Sequence, residues 1–471
     1  MTIPRASHIE SSARLLVAAQ LSDLLQRGSR AHLIGIGGVS MSPLAEELHR
    51  HGLRVTGSDL RNSPAVEKLR SLGIDIYIGH DAENVHGADL VIRTAAAREG
   101  NPEIDETLRL GIPLFERAAA WGVIMRGYAN AVCVSGSHGK TTTTSMISQI
   151  LLAAGRDPTV MIGGTLPTLG SGYRVGSGDT IVLESCEYFD SFLSFFPTLA
   201  VILNVDADHL DYFGDIDHVK AAFREFAELA PETGRVIACG DDRNTIDALR
   251  GLDRDITTFG FHAQCDVRCE SVLETGHCSE FDVVYEDRVY CRVKLKVPGK
   301  HNILNALAAC AAAISLGVPS ETIEDALRTF VGADRRFEFK GRLNGAVIYD
   351  DYAHHPTELR ALLDMATALP YKRVVVAFQP HTYSRTASHL EAFAKELRRA
   401  DKCYIAEIYA AREINTYGIT SADLAALVPD STVCATLSDV EAALKAEARD
   451  GDLIITVGAG ELDKVGEQIV N

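Results

Sequence analysis

The sequence lacks an excess of basic residues, which argues against partners that carry many negative charges. Its 471 residues include 46 Lys and Arg against 64 Asp and Glu, a formal net charge of −18. Nucleic acids and anionic membranes favour basic surfaces, so this balance argues against both as partners. If the substrate is anionic, the positive charge that receives it must be local.

The chain also lacks the features of membrane-spanning and disulfide-stabilised proteins. No apolar run approaches the ~18 residues of a membrane span, and no signal peptide opens the sequence. Its ten cysteines have no paired C-x-x-C spacing, which favours reduced thiols over a disulfide framework or a zinc site. We therefore expect a cytoplasmic protein with no membrane partner, and these patterns leave its oligomeric state open.

Length and composition predict several domains. A chain of 471 residues exceeds what one hydrophobic core normally supports, and 46% hydrophobic residues is typical of globular proteins. Short apolar runs alternate with helical patterns along the whole chain, which is typical of α/β folds with mostly parallel sheets. We predict three α/β domains, at residues 1–127, 128–335 and 336–471.

A phosphate-binding turn is predicted where an apolar run ends and a helical pattern begins. The first N–H groups of such a helix have no partner within it and attract phosphate oxygens. Lys140 can reach the β and γ oxygens of a nucleotide, and the Thr141 hydroxyl can ligate Mg²⁺. The usual first glycine of the motif is absent, since Val134 occupies its position, and Gly136 replaces it in a shorter loop. The residues of this turn are Gly136, Ser137, His138, Gly139, Lys140, Thr141 and Thr142.

A second glycine-rich turn, Gly35-Ile36-Gly37-Gly38, lies near the start of the chain. It suits a diphosphate, and Asp59, about twenty residues further on, suits a ribose. Because Ser40 occupies the sixth position of G-x-G-x-x-G, the fingerprint is imperfect and allows either an NAD site or a UDP site. Thr94 follows another strand pattern, where a ligand would lie at the carboxyl edge of a parallel sheet.

Polar side chains follow further strand patterns. Glu184 follows one, and Asp208 and His209 follow the next. Carboxylates at such positions can hold Mg²⁺ opposite Thr141, directly or through water, although a solvated acidic loop has the same pattern.

Two more groups of residues are candidates for ligand contacts. Asn302 and Asn305 open an Ala-rich helical pattern and suit either an adenine edge or a helix cap. His354 and His355 follow a strand pattern in the last domain. A role in positioning or in phosphate binding fits them better than metal ligation, because the sequence offers no partner ligands beside them.

Together these stretches resemble the Mur ligase family, over nearly the whole chain. The order and spacing of the motifs make the resemblance specific. It implies an enzyme of peptidoglycan synthesis that uses ATP to join the lactyl carboxylate of UDP-N-acetylmuramate to L-alanine through an acyl phosphate. The motifs that carry it are Gly35-Ile36-Gly37-Gly38, Gly136-Ser137-His138-Gly139-Lys140-Thr141-Thr142, Glu184-Ser185-Cys186-Glu187-Tyr188, Asp208-His209, Pro298-Gly299-Lys300-His301-Asn302, Arg335-Arg336-Phe337, Asp350-Asp351-Tyr352-Ala353-His354-His355-Pro356-Thr357 and Phe378-Gln379-Pro380-His381.

The resemblance also implies roles for domains and residues. A Rossmann-like first domain would bind the UDP-sugar, a P-loop-type middle domain ATP, and a Rossmann-like third domain the amino acid. The implied UDP-sugar residues are Gly35, Gly37, Gly38, Ser58, Asp59 and Thr94. Those for ATP are the residues of the phosphate-binding turn with Asn302, Asn305, Arg336, Asp351 and Tyr352. Those for Mg²⁺ are Thr141, Glu184 and His209, and those for catalysis are Lys140, Arg336 and His354, the last as the general base.

Some positions depart from the family pattern, and other functions stay open on the sequence. Ser137 stands where Thr is usual, and residues 94–97 and 460–463 differ from the common turns. These departures bear on ligand detail rather than on the reaction. The alternatives are a recycling ligase that attaches a preformed peptide to the same sugar, a nicotinamide-dependent dehydrogenase built on the first glycine turn, and a non-enzymatic nucleotide-binding protein.

Overall fold

The computed structural model describes residues 11–98 and 100–470, which form two compact units. The first unit comprises the described part of Met1–Asp266 together with Ala308–Pro319, and the second comprises Val267–Leu307 and the described part of Ser320–Asn471. Within the described residues, no helix is both long enough and apolar enough to cross a bilayer.

A five-stranded parallel sheet forms the start of the first unit, with strand order β3-β2-β1-β4-β5. Its strands are β1 Arg30–Ile34, β2 Arg54–Asp59, β3 Asp75–Ile78, β4 Leu90–Arg93 and β5 Leu114–Glu116. Its helices are α1 Ser11–Gln26, α2 Met41–Arg50, α3 Pro64–Ser71, α4 Pro102–Leu110 and α5 Arg117–Met125, with a 3₁₀ turn at Ala82–Val85. The strand order reverses between β1 and β4, so a crevice lies beyond the carboxyl ends of these two strands, where Gly35 and Thr94 follow them.

A second sheet of the first unit has the order β12-β11-β10-β6-β9-β7-β8. Its strands are β6 Asn130–Ser135, β7 Thr159–Leu166, β8 Ser171–Arg174, β9 Thr180–Glu184, β10 Leu199–Ile202, β11 Arg235–Cys239 and β12 Ile256–Gly260, of which β8 is antiparallel to its neighbour. The helices are α6 Lys140–Ala153, α7 Leu210–Phe213, α8 Ile216–Glu228 and α9 Arg243–Leu249, and Tyr188–Ser194 forms a 3₁₀ segment. The central strand β6 is buried over residues 131–134, as its continuous apolar run predicts for a strand covered on both faces.

One hydrophobic core connects the two sheets of the first unit. It extends from α2 and the strands of the first sheet through α5 to β6 and α8. Trp121 of α5, the single tryptophan, is fully buried in this core, and its indole N–H donates to the Ser40 carbonyl at 3.2 Å. Its fluorescence therefore reports on the folding of this unit.

The second unit begins with an antiparallel meander, which the sequence analysis did not predict. Its strands are β13 Val267–Thr275, β14 Cys278–Tyr285 and β15 Arg288–Leu295. Helix α10, Lys300–Ser315, has residues in both units, and α11, Ser320–Thr329, packs on β15.

The rest of the second unit is a six-stranded sheet with order β16-β17-β21-β18-β19-β20, parallel except for β16. Its strands are β16 Glu338–Leu343, β17 Ala346–Asp351, β18 Arg373–Phe378, β19 Lys402–Ala406, β20 Thr432–Cys434 and β21 Asp452–Val457. Its helices are α12 Pro356–Ala368, α13 Tyr383–Ser388, α14 Leu390–Leu397, α15 Ser421–Ala426, α16 Leu437–Glu447 and α17 Asp463–Gln468. The predicted α/β fold class is confirmed. The domain boundaries at 127/128 and 335/336 remain a prediction, and residues 267–307 of the predicted middle domain belong to the second unit.

Candidate active site

The predicted phosphate-binding turn has the geometry of an anion site at a helix N-terminus. Gly136 has φ +141°, and a Cβ atom there would lie 2.8 Å from the Leu203 Cβ, so only glycine fits. Gly139, with φ +85°, precedes α6 and makes no side-chain cap. The first N–H groups of α6 therefore lack a capping side chain, which leaves an arrangement that suits a phosphate.

Lys140 is the first residue of α6, and its ammonium folds back onto the turn. Nζ donates to the carbonyls of Gly136 at 2.5 Å and Ser137 at 3.3 Å. It also lies 2.9 and 3.1 Å from the two carboxylate oxygens of Glu187. Burial alone would lower the pKa of Lys140, because it opposes the charged form. The neighbouring groups, above all Glu187, outweigh burial and raise this pKa. Lys140 is therefore a cation at neutral pH, held by an acid that the sequence analysis had not assigned.

The loop after β10 holds the phosphate-binding turn in place. The Asn204 carboxamide accepts from the His138 N–H at 2.8 Å and donates to the His138 carbonyl at 3.0 Å. The Ser137 hydroxyl accepts from the Asp206 N–H at 2.8 Å, and His138 Nε2 lies 3.0 Å from an Asp206 carboxylate oxygen. Ser137 and His138 thus make structural contacts that preorganise the loop.

Three candidate metal ligands lie at the ends of elements around β6. Glu184 ends β9, and its carboxylate accepts from the Gly163 N–H at 2.7 Å. His209 precedes α7 with φ 54°, and its ring stacks on Tyr188 with 4.3 Å between centroids. Thr141 is buried in the first turn of α6. Because β9 and β10 flank β6, all three residues belong to the carboxyl edge of one sheet. A hydroxyl and a carboxylate oxygen are the donors that Mg²⁺ prefers, whereas an imidazole is a less usual ligand for it.

The first glycine turn contacts residues that were predicted to bind the same ligand. Gly35 has φ +78°, and a Cβ there would lie 2.7 Å from the Thr94 methyl group. The N–H groups of Gly35 and Ile36 both donate to the Ser58 carbonyl at 2.9 Å. Asp59, predicted to contact a ribose, accepts from the Gly37 N–H at 2.9 Å and so also fixes the turn.

The predicted adenine-contacting residues are in the second unit, on α10. Asn302 and Asn305 are buried. The Asn302 carboxamide donates to the Pro298 carbonyl at 2.7 Å and lies 3.3 Å from that of Asn305. These contacts fix the orientation of both side chains.

Asp351 and Tyr352 connect the end of β17 to the Arg336 segment. The Asp351 carboxylate accepts from the N–H groups of Phe337 and Ala353, both at 2.8 Å. Burial raises the pKa of Asp351 to about 6, although Arg336 opposes the shift. The Arg336 guanidinium lies 5.2 Å above the Tyr352 ring, within the range of a cation–π contact.

The two adjacent histidines have different surroundings. His355 caps α12, since its Nδ1 accepts from the Thr357 N–H at 3.4 Å and Glu358 completes a capping box. His354 Nδ1 lies 3.0 Å from the Tyr352 carbonyl, which can only accept, so Nδ1 carries the proton and Nε2 is the basic nitrogen.

The chain is similar to known proteins over nearly its whole length. Three family models match: the Mur ligase family catalytic domain over residues 30–129, the Mur ligase middle domain over 134–313, and the Mur ligase glutamate ligase domain over 335–460. The chain is 47% identical over 452 residues to the UDP-N-acetylmuramate–L-alanine ligase of Caldanaerobacter subterraneus subsp. tengcongensis, covering 95% of this chain and 98% of the relative. The chain belongs to the Mur ligase family.

Other members of the Mur ligase family are similar over nearly the same length. The UDP-N-acetylmuramate–L-alanine ligase of Acetivibrio thermocellus is 48% identical over 446 residues, covering 93% of this chain and 95% of the relative. Among solved structures, the UDP-N-acetylmuramate–alanine ligase of Thermotoga maritima is 30% identical with a TM-score of 0.77, covering 94% of this chain and 98% of that one. A murein peptide ligase from Psychrobacter arcticus is 25% identical with a TM-score of 0.70 and the same coverage.

Proposed function

We propose that this Mur ligase adds L-alanine to the lactyl carboxylate of UDP-N-acetylmuramate, with ATP cleaved to ADP and phosphate, in peptidoglycan synthesis. The observation that carries the proposal is the Lys140 turn, preorganised for phosphate, in a chain 47% identical over its length to a ligase of that name. We place the enzyme in the cytoplasm, where ATP is available. Its ten cysteines, all within the described residues, are free thiols, which agrees with a reducing compartment.

The chemistry explains why a cation lies at the turn. A carboxylate is a poor acyl donor, so its oxygen first attacks the γ-phosphorus of ATP, and ADP leaves. The amine of L-alanine then attacks the acyl phosphate carbon, and phosphate leaves from the tetrahedral intermediate. Because two anions meet in the first step, Lys140 screens their repulsion and stabilises charge on the transferring group, and we assign Arg336 the same role.

We assign the remaining residues as follows. Gly35, Gly37, Gly38, Ser58, Asp59 and Thr94 bind the UDP-sugar. The turn 136–142 with Asn302, Asn305, Arg336, Asp351 and Tyr352 binds ATP. Thr141, Glu184 and His209 would hold Mg²⁺, which supplies charge neutralisation at the phosphates when bound.

The proton of the L-alanine ammonium needs an acceptor before the amine can attack. We propose His354 for this step, through the Nε2 that the Tyr352 carbonyl leaves basic. The three domains, residues 1–127, 128–335 and 336–471, then serve the UDP-sugar, ATP and the amino acid.

Phosphate release tests the proposal. Purified protein is given ATP, Mg²⁺ and UDP-N-acetylmuramate with L-alanine, glycine, L-serine or a preformed tripeptide, and Lys140→Ala is the inactive control. We expect the highest kcat/KM with L-alanine and no release without the UDP-sugar. Phosphate release with UDP-N-acetylmuramate and the tripeptide, but with none of the free amino acids, would instead identify a recycling ligase. Retained NAD together with a dispensable Lys140 would favour a dehydrogenase.

A further inference from the structure

A buried acid in the first domain contacts four polar side chains from separate elements. Glu103, in the first turn of α4, is fully buried. Its Oε2 accepts from the Ser58 hydroxyl at 2.7 Å and lies 2.8 Å from His80 Nδ1. Its Oε1 accepts from the Asn84 carboxamide at 2.7 Å and lies 3.5 Å from His32 Nε2. These partners belong to β2, the segment after β3, the 3₁₀ turn and β1.

Glu103 is an anion in this setting. Burial opposes its ionisation, but His32 and the hydrogen bonds from Ser58 and Asn84 outweigh burial and lower the pKa of Glu103. A buried charge is costly unless its partners satisfy it, and an apolar side chain would fill the same space more cheaply. An acid that serves only to pack α4 would not need this set of donors.

The network leads directly to the first glycine turn. Ser58 contacts both Glu103 and the turn. Its hydroxyl donates to Glu103, and its carbonyl accepts from the N–H groups of Gly35 and Ile36. The next residue, Asp59, holds the Gly37 N–H. Of the four partners, His80 and Asn84 are partly exposed, His80 at 17% of its side chain, whereas Ser58 and His32 are fully buried. Displacement of Ser58 would move the first glycine turn, because the Ser58 carbonyl accepts from two N–H groups of that turn.

We propose that Glu103 is a positioning residue for the UDP-sugar, which holds Ser58 and His80 so that the first glycine turn keeps its binding geometry. This inference rests on the proposed function, in which the first domain binds that substrate. It predicts a specific kinetic signature, because ATP and L-alanine are assigned to other domains.

The test compares Glu103→Gln with Glu106→Gln. Glu106 lies on the same helix and pairs with His86 and Arg109 instead of the network, which makes it a matched control. For Glu103→Gln we expect the Kd and KM for UDP-N-acetylmuramate to rise at least tenfold, with kcat and the KM for ATP within twofold of wild type. Glu106→Gln should match wild type in all four. Calorimetry and phosphate release give these values.

A second variant keeps the test decisive if Glu103→Gln folds poorly. Asn84→Ala, tested alone, removes one donor to Glu103 and should raise the Kd of the UDP-sugar about threefold at an unchanged Tm, and a wild-type Kd for Asn84→Ala would overturn the proposal. Equal Kd values for Glu103→Gln and Glu106→Gln would overturn the proposal, as would parallel losses in kcat, every KM and Tm. If wild type itself neither binds the UDP-sugar nor releases phosphate, the proposed function fails instead.

Discussion

The pairing of Lys140 with Glu187 gives a prediction with two separate readouts. Side-chain exposure is 14% for Lys140 and 2% for Glu187, and the Nζ atom lies 2.9 and 3.1 Å from the two carboxylate oxygens. Removal of one partner from a buried ion pair costs about 3–5 kcal/mol, because the other charge stays buried without compensation. We expect Lys140→Met to lose about 3 kcal/mol of unfolding free energy, and Lys140→Met/Glu187→Gln to regain most of that loss.

Glu187→Gln alone is expected to lower the free energy of unfolding less than Lys140→Met does. In Glu187→Gln the ammonium keeps the Gly136 and Ser137 carbonyls as acceptors, so its charge remains solvated by the turn. Urea unfolding followed by Trp121 fluorescence measures all four proteins in the unit that contains the pair. The coupling energy is the difference between the double-variant loss and the sum of the two single losses.

Activity provides the second readout for the same variants. Lys140→Met should abolish phosphate release while the Kd for UDP-N-acetylmuramate stays within a few fold, since the first glycine turn belongs to another sheet. Two results would refute the reasoning: a double variant as unstable as the sum of its singles, or a collapse of UDP-sugar affinity in a folded Lys140→Met protein.

Three further predictions concern the metal, the pH dependence and the turn. His209→Asn should raise the Mg²⁺ concentration needed for half-maximal activity more than it raises the KM for ATP, and an unchanged Mg²⁺ titration would contradict the assignment. The raised pKa of Asp351, about 6 against an ordinary 3.8, means that its stabilising contribution is full below about pH 4 and is lost as pH rises through 6. Relative to Asp351→Asn, wild type should lose about 3 kcal/mol between pH 4 and 7, and a difference in stability that is constant with pH would count against this. Gly136→Ala should lose ATP binding by calorimetry but keep the UDP-sugar, because its methyl group would meet Leu203.

The sequence predicted the strands that end at candidate ligand sites better than it predicted the rest of the fold. Continuous apolar runs before glycine or polar residues identified β6, β9, β10 and β17, since buried parallel strands need no alternation. The meander β13 to β15 was missed, although β15 shows a clear alternation in which Cys291, Val293 and Leu295 are buried. That signal of period two was available in the sequence.

Buried acids were the part of the site that sequence reasoning could not supply. Glu103 lies with Ile104 and Thr107 on the inner face of α4. An acid in the first turn of a helix ordinarily faces solvent and is stabilised there by the helix dipole, so its burial could not be predicted from the sequence. Glu187 stood inside a recognised motif, yet its contact with Lys140 depends on how β9 lies beside β6. Tertiary packing, rather than local pattern, decides which carboxylates become part of a site.

The crowding at Gly136 also bears on how resistance to an inhibitor could arise. The position combines φ +141° with the Leu203 Cβ and the backbone nitrogens of Leu203 and Asn204 within about 3 Å of any added Cβ. An inhibitor that hydrogen-bonds to the amides of this turn would meet main-chain atoms, which substitution cannot remove. A side chain that blocked the inhibitor here would also displace the loop to which we assign ATP binding. Escape mutations are therefore expected away from the turn, at residues that contact the inhibitor but not the phosphates.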